Sequence, residues 1–203
     1  MNFDEKAAQW DLNPARHERA QAVAQAIRRQ ISLHRRMTAL EYGCGTGLLS
    51  FELSNDVGQI FLADRSAGML AVLGEKIAAA QLSHLLPLQL DLLTDPLPAR
   101  RFDLIYSLMT LHHICDTRRI LSYFYQLLLP GGYLCIADLD QEDGSFHKDP
   151  FEGHFGFERQ ALARLTMAVG FEVLGFETVY EMVKIVEDQQ RSYPIFLMTA
   201  RRC

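Results

Sequence analysis

The sequence predicts an α/β fold: a seven-stranded, mostly parallel sheet with helices on both faces and an antiparallel last strand. Two patterns predict it. Five short, continuous apolar runs alternate with amphipathic stretches, as strands buried on both faces alternate with crossover helices. Two further apolar runs close the chain with no helical pattern between them, which reads as an antiparallel hairpin at the sheet edge.

Taken in order, residues 14–33 have helical periodicity, with Ala20, Val23, Ala24, Ile27 and Ile31 on one face and Arg16, Glu18, Arg28 and Arg29 opposite. Asn13-Pro14 supplies an N-cap and first-turn pair. Strands are expected at 38–42, 60–63, 85–90, 102–108 and 133–137. Helices are expected at 46–53, 66–81 and 116–129, the last stopped by Pro130-Gly131-Gly132. Pro96 and Pro98 leave no room for a helix between the third and fourth strands. A helix at about 158–168 precedes the final pair, 171–179 and 194–200.

With 203 residues, 49% apolar, the chain can bury its own core, and no linker composition divides it. The expected organisation is a single domain over 1–203. Within it, 1–36 is an N-terminal helical cover, 37–140 a cofactor-binding half, and 141–203 the substrate side and C-terminal hairpin. Lys+Arg 20 against Asp+Glu 25 gives a net charge of -5, which disfavours a nucleic-acid partner. Cys44, Cys115, Cys135 and Cys203 lack metal-ligand spacing, so no metal is expected. The acidic N-terminus and the absence of a long apolar run predict a soluble, cytoplasmic protein with no membrane span. Its oligomeric state is not encoded in any of these features.

The chemistry concentrates after the first strand, where Glu41-Tyr42-Gly43-Cys44-Gly45-Thr46-Gly47 runs straight into a helix. Such a turn exposes backbone N–H groups at a helix N-terminus to a ligand. Asp64 ends the second strand and Asp91 the third, at the same sheet edge. A carboxylate 21 positions after Gly43 stands where a ribose diol is held. Helix capping is the alternative role for Asp64, and a turn role for Asp91. The GxGxxG spacing fails, since residue 48 is leucine, and no GK[ST] follows the glycines. A crevice offering Glu41, Asp64 and Asp91, with no Lys or Arg in the loop, suits the ammonium and sulfonium of S-adenosylmethionine better than a pyrophosphate.

At these residues the chain resembles the class I S-adenosylmethionine-dependent methyltransferases, specifically the small-molecule branch with the ubiquinone and menaquinone enzymes. The loop Glu41 to Gly47, the acidic strand end with Ser-x-x-Met from Asp64 to Met69, Asp91-Leu92, Phe102-Asp103-Leu104-Ile105 and Leu129-Pro130-Gly131-Gly132 carry the resemblance in order. It implies a Rossmann-like fold and methyl transfer to a small-molecule acceptor by in-line displacement, with S-adenosylhomocysteine as product. It further implies that Gly43, Cys44, Gly45 and Gly47 wrap the methionine part and Asp64 holds the ribose. Arg65 and Met69 would flank the adenine, and Asp91 with the Leu92 backbone would reach its amino edge. Ser107 would face the methionine end or the transferred methyl.

His112 and His113, just past the fourth strand, are the nearest candidates for a base; a loop histidine without catalytic duty is the alternative. The fourth strand ends Ser107-Leu108-Met109-Thr110, unlike the Asn/Asp-Pro-Pro-aromatic pattern of enzymes acting on nucleobase or glutamine amino groups. Trp10 and the aromatic segment with Phe146, His147, His154, Phe155 and Phe157 are expected to cover the pocket. Two other functions remain compatible with the sequence, an NAD(P)-dependent oxidoreductase and a non-catalytic S-adenosylmethionine-binding protein.

Overall fold

The computed structural model describes residues 3–147 and 151–203. The chain opens with α1 (Phe3–Lys6) and a 3-10 segment (Ala7–Leu12), then α2 (Pro14–Gln30). β1 (Thr38–Tyr42), α3 (Leu48–Leu53), β2 (Gln59–Asp64), α4 (Ala67–Ala80) and β3 (Leu85–Gln89) follow. Next come β4 (Phe102–Leu108), α5 (Thr117–Leu127), β5 (Leu128–Leu139), α6 (Arg159–Val169), β6 (Phe171–Val186) and β7 (Gln189–Arg202).

The seven strands lie in the order β3-β2-β1-β4-β5-β7-β6, parallel except for β7, which runs antiparallel to both β5 and β6. The expected sheet and edge hairpin are therefore present. Because the chain steps outward from β1 to β3 and then returns to lay β4 against β1, the order reverses between β1 and β4. A crevice opens at the carboxyl ends of strands at such a reversal.

Each face of the sheet buries one core. Val23, Ala24 and Ile27 of α2, Leu49 and Leu53 of α3 and Leu73 of α4 pack with Leu62, Leu104 and Tyr106. Ile120, Leu121 and Phe124 of α5 and Leu162 of α6 pack with Leu40, Ile105, Ile136 and Phe196 on the other side. Truncating one of the leucine, isoleucine or phenylalanine side chains among them to alanine costs about 2–5 kcal/mol.

Several boundaries differ from expectation. α2 ends at Gln30, where Ile31 turns extended. The helix after the glycine loop starts at Leu48 because Gly47 is held at φ +80°. Pro130-Gly131-Gly132 stops α5 but does not separate it from the next strand: β5 starts at Leu128, and its register against β4 slips between Phe102 and Leu104 to absorb the turn. The last two strands continue past their apolar runs and meet at Glu187-Asp188, both with positive φ. No described helix is long and apolar enough to cross a membrane.

Candidate active site

The glycine loop leaves β1 and folds back on β2, Gly43 N–H and Cys44 N–H both donating to the Ala63 carbonyl at 2.8 and 3.0 Å. Its glycines do different work. At Gly43 (φ +72°) a β-carbon would lie 2.3 Å from the Thr110 side chain, so this position admits only glycine where the β4 end crosses the loop. At Gly45 (φ +54°) the nearest atoms to such a carbon are Trp10 Nε1 at 3.8 Å and Met69 Sδ at 4.0 Å. Gly45 thus faces a cleft between the N-terminal segment and α4.

Asp64 stands at the same edge. Its Oδ2 accepts the Gly45 N–H at 2.8 Å and its Oδ1 the Ser66 N–H at 2.9 Å. Ser66, not Asp64, caps α4 by accepting from Met69 N. A carboxylate offers about four acceptor positions, so Asp64 retains capacity on both oxygens while it shapes the loop. Met69 is fully buried, whereas Arg65 is exposed and its carbonyl accepts from Gln89 Nε2.

The N-terminal segment is fastened over this cleft by carboxylates. Asp4 Oδ1 accepts from Ser66 Oγ (2.5 Å) and Gly68 N (2.8 Å) at the start of α4. Asp11 accepts from Thr46 Oγ1 (2.5 Å) and Lys76 Nζ (2.6 Å), and Lys76 also donates to the Thr46 carbonyl. Trp10, half-buried between these anchors, has the Arg16 guanidinium 3.7 Å above its ring.

Glu41 lies beneath the loop, buried, accepting from Ser50 Oγ, which also meets the Tyr106 hydroxyl at 2.6 Å. Burial pushes its carboxyl up to about 8, against the lowering effect of the Ser50 hydrogen bonds. Asp91 Oδ1 accepts the Leu93 N–H, a turn bond, and the Leu92 N–H is taken by the Tyr42 hydroxyl at 3.2 Å. Tyr42 escaped the sequence reading. Ser107 Oγ is buried without a hydrogen-bond partner.

His112 and Asp138 form a buried pair at the ends of β4 and β5. Asp138 Oδ1 meets His112 Nδ1 at 2.6 Å and accepts the Leu139 N–H at 2.8 Å, while Oδ2 accepts the His112 N–H at 3.2 Å. Burial alone would raise the Asp138 pKa, but His112 and these hydrogen bonds hold it below the ordinary carboxylate value. A carboxylate can only accept, so the imidazole proton sits on Nδ1 and the Nε2 lone pair is free to act. Asp138 is not among the site residues that the sequence alone singles out.

Aromatic and imidazole rings surround the pair. His113 lies 4.2 Å from His112, 5.5 Å from Phe3 and 5.2 Å from Phe151, ring centre to ring centre. His147 stacks on Phe151 at 3.6 Å. Burial and the adjacent His112 pull the pKa of His113 down to about 3 and that of His147 to about 4, so both are neutral imidazoles near pH 7. Phe146 packs edge-on against both Tyr193 and His147, and His154, whose backbone N–H donates to the His112 carbonyl at 2.7 Å, bonds Thr117 Oγ1 and the Ile114 carbonyl through its ring. Residues 148–150 of the expected cover lie outside the described residues.

Comparison with known proteins bears on this arrangement. Residues 40–136, from β1 to β5, match the family model for a methyltransferase domain. An uncharacterised methyltransferase of Mycobacterium tuberculosis is 36% identical over 98 residues, 48% of this chain and 48% of that protein. A demethylmenaquinone methyltransferase of Symbiobacterium thermophilum is 33% identical over 102 residues, 48% of this chain and 41% of its own. The chain thus spans about half the length of these curated relatives. A crystal structure of an S-adenosylmethionine-dependent methyltransferase from Aquifex aeolicus superposes with a TM-score of 0.73, covering 98% of each chain at 20% identity; it supports the fold.

Proposed function

We propose that this protein, whose residues 40–136 match a methyltransferase-domain family model, is a class I S-adenosylmethionine-dependent enzyme that methylates a small-molecule acceptor, with His112 taking the acceptor's proton. The observation behind this reading is the convergence, at one strand-order reversal, of the glycine loop, Asp64 and the His112–Asp138 pair. The donor set suits the cofactor. Gly45 leaves open the space a side chain would fill, Asp64 keeps acceptor capacity for a ribose diol, and Lys76, near the loop, is already neutralised by Asp11. Glycines 43, 45 and 47, Cys44, Asp64, Met69, Asp91 and Leu92 are the residues proposed to hold it, with Arg65, Glu41, Ser107 and Trp10 around them.

When bound, S-adenosylmethionine supplies a methyl on a sulfonium centre that a nucleophile can displace. The chain's own residues do the rest. Asp138 fixes the His112 tautomer and stabilises the imidazolium that forms when Nε2 accepts a proton. The rings of Trp10, Phe3, His113 and Phe151 exclude water, so the acceptor is held aligned and poorly solvated. The net charge of -5 supports a small metabolite over nucleic acid.

Calorimetry with S-adenosylhomocysteine and NAD, followed by an acceptor screen scored by S-adenosylhomocysteine release, tests the proposal. Tight binding of the first nucleoside and none of NAD is expected. A folded protein that binds NAD instead would end it.

A further inference from the structure

The hairpin of β6 and β7 outruns the sheet. β7 pairs with β5 as far as Ile195, opposite Leu139, and the Pro194 carbonyl accepts the Asp140 N–H at 3.0 Å. Beyond that row the ladder continues between β6 and β7, from Glu181 and Pro194 to Val186 and Gln189. Residues directly opposite in an antiparallel pair share one face, so Lys184 and Arg191 stand side by side, like charges whose juxtaposition is unfavourable in itself. Both reach instead to the chain that leaves β5. Arg191 Nη1 donates to Asp143 Oδ2 at 2.8 Å and to Ser145 Oγ at 3.1 Å, and the Ser145 and Tyr193 hydroxyls meet at 2.7 Å. Lys184 Nζ donates to the Phe146 carbonyl at 2.8 Å and lies 3.2 Å from the centre of the Phe146 ring. On the other face of this arm Val183 and Ile185 are exposed.

The residues held in this way stand around the His112 imidazole, which is itself buried. The ring centres of His147, Phe151 and Phe146 lie 5.5, 5.9 and 6.5 Å from that of His112. Phe146 meets His147 edge-on at 5.0 Å, and His147 stacks on Phe151 at 3.6 Å. His147 Nε2 is buried with no hydrogen-bond partner among the described residues, so it does nothing to fix the ring; Phe151 on one side and Phe146 on the other do. Phe146 is in turn gripped twice by one ammonium, at its carbonyl and on its ring face, and a charge-assisted hydrogen bond is roughly twice as strong as a neutral one. Burial and His112 are the larger causes of the low pKa of His147, and the Lys184 charge adds to them.

We propose that Lys184 is a positioning residue of the acceptor site: its ammonium fixes Phe146, and through Phe146 the His147–Phe151 wall that shields His112 from solvent. The arm beyond the sheet is then a buttress for that wall. This inference rests on the methyl-transfer reading for the duty of His112, but the shielding can be tested without it.

The probe is diethyl pyrocarbonate, which acylates neutral imidazoles. It is added at pH 7 to wild type, Lys184→Met, Lys184→Arg and Ile185→Thr, and the rate at each histidine is read by peptide mass spectrometry. In Lys184→Met, His112 and His147 should react about 10-fold faster than in wild type, the equivalent of one charge-assisted hydrogen bond lost from the wall. Lys184→Arg should restore the slow rate, and Ile185→Thr, on the opposite face of the arm, should not change it. His84, at the start of β3 on the far edge of the sheet, is the internal reference. A wild-type rate at His112 in Lys184→Met, or the same acceleration in Ile185→Thr, would overturn the proposal. So would a rise that includes His84, because it would leave Lys184 with a role in overall stability alone. Calorimetry with S-adenosylhomocysteine runs beside the acylation, and affinity within about twofold of wild type is expected in every variant; a 10-fold loss in Lys184→Met would move the residue's effect to the cofactor side and overturn its assignment to the acceptor side. If wild type itself does not bind S-adenosylhomocysteine, the methyl-transfer reading falls, and the acylation rates still decide whether Lys184 holds the wall.

Discussion

Replacing Asp138 by asparagine keeps the shape of the buried pair and removes its charge. The carboxylate receives three N–H donors, His112 Nδ1 at 2.6 Å, Leu139 N at 2.8 Å and His112 N at 3.2 Å. An amide oxygen at the Oδ1 position can still serve the first two, but the NH2 then points at the His112 N–H, donor against donor. Exchanging a charge-assisted hydrogen bond for a neutral one loses about 1–1.5 kcal/mol, and the misdirected amide adds about 1–3 kcal/mol of unsatisfied burial. The imidazolium loses its counter-charge at the moment it forms. We expect kcat to fall about 10–100-fold at roughly 1.4 kcal/mol per decade, with S-adenosylhomocysteine affinity within about twofold of wild type. Single-turnover release of S-adenosylhomocysteine across pH, beside calorimetry and thermal melting, is the assay. The folded pKa of Asp138 is depressed, so its contribution to stability is present above its unfolded value near 3.8 and is lost as pH falls through the lower folded value. The melting difference between wild type and Asp138→Asn should therefore shrink below pH about 4. A variant that melts earlier but turns over at the wild-type rate with an unchanged pH profile would refute the positioning role of Asp138.

Asp64→Ala should weaken S-adenosylhomocysteine binding by about 1.5–3 kcal/mol through lost charged hydrogen bonds; unchanged affinity in a folded variant, read by calorimetry, would remove Asp64 from the cofactor site. Trp10→Ala should depress turnover more than melting temperature, because the indole is half-buried and held between anchors on either side; a stability loss of about 3–5 kcal/mol with normal activity would place it in the core instead. Glu41 has a raised folded pKa of about 8, so the folded state holds more protons than the unfolded one between its ordinary value and 8, and stability declines with rising pH in that window. Glu41→Gln should flatten that decline, whose slope is at most about 1.4 kcal/mol per pH unit, and urea melts at pH 5, 6.5 and 8 will show whether it does.

The glycine loop and Asp64 were legible because strand, turn and helix are contiguous in the chain, and the turn needs glycines wherever it bends. The His112–Asp138 pair was half legible. His112 stood out as a polar residue past a buried strand, but Asp138 lies 26 residues away and reaches it only because β5 is laid beside β4. Its signal was an aspartate closing a strand that is otherwise apolar, Cys135-Ile136-Ala137-Asp138. The length of the final hairpin escaped because Val183 and Ile185 are 52% and 65% exposed; pairing there is held by backbone bonds and leaves no burial pattern to read.

The protein has one tryptophan, and it is the residue pinned beside Gly45 beneath the Arg16 guanidinium. Its emission therefore comes from a single place, the strap that Asp4 and Asp11 tie to α4. Freeing that strap would carry the indole into water and shift its fluorescence to longer wavelength. An adenosine ligand arriving beside it would quench it without such a shift. Steady-state spectra can thus separate opening of the strap from filling of the cleft, and stopped-flow traces at one wavelength can put the two events in order, without a label.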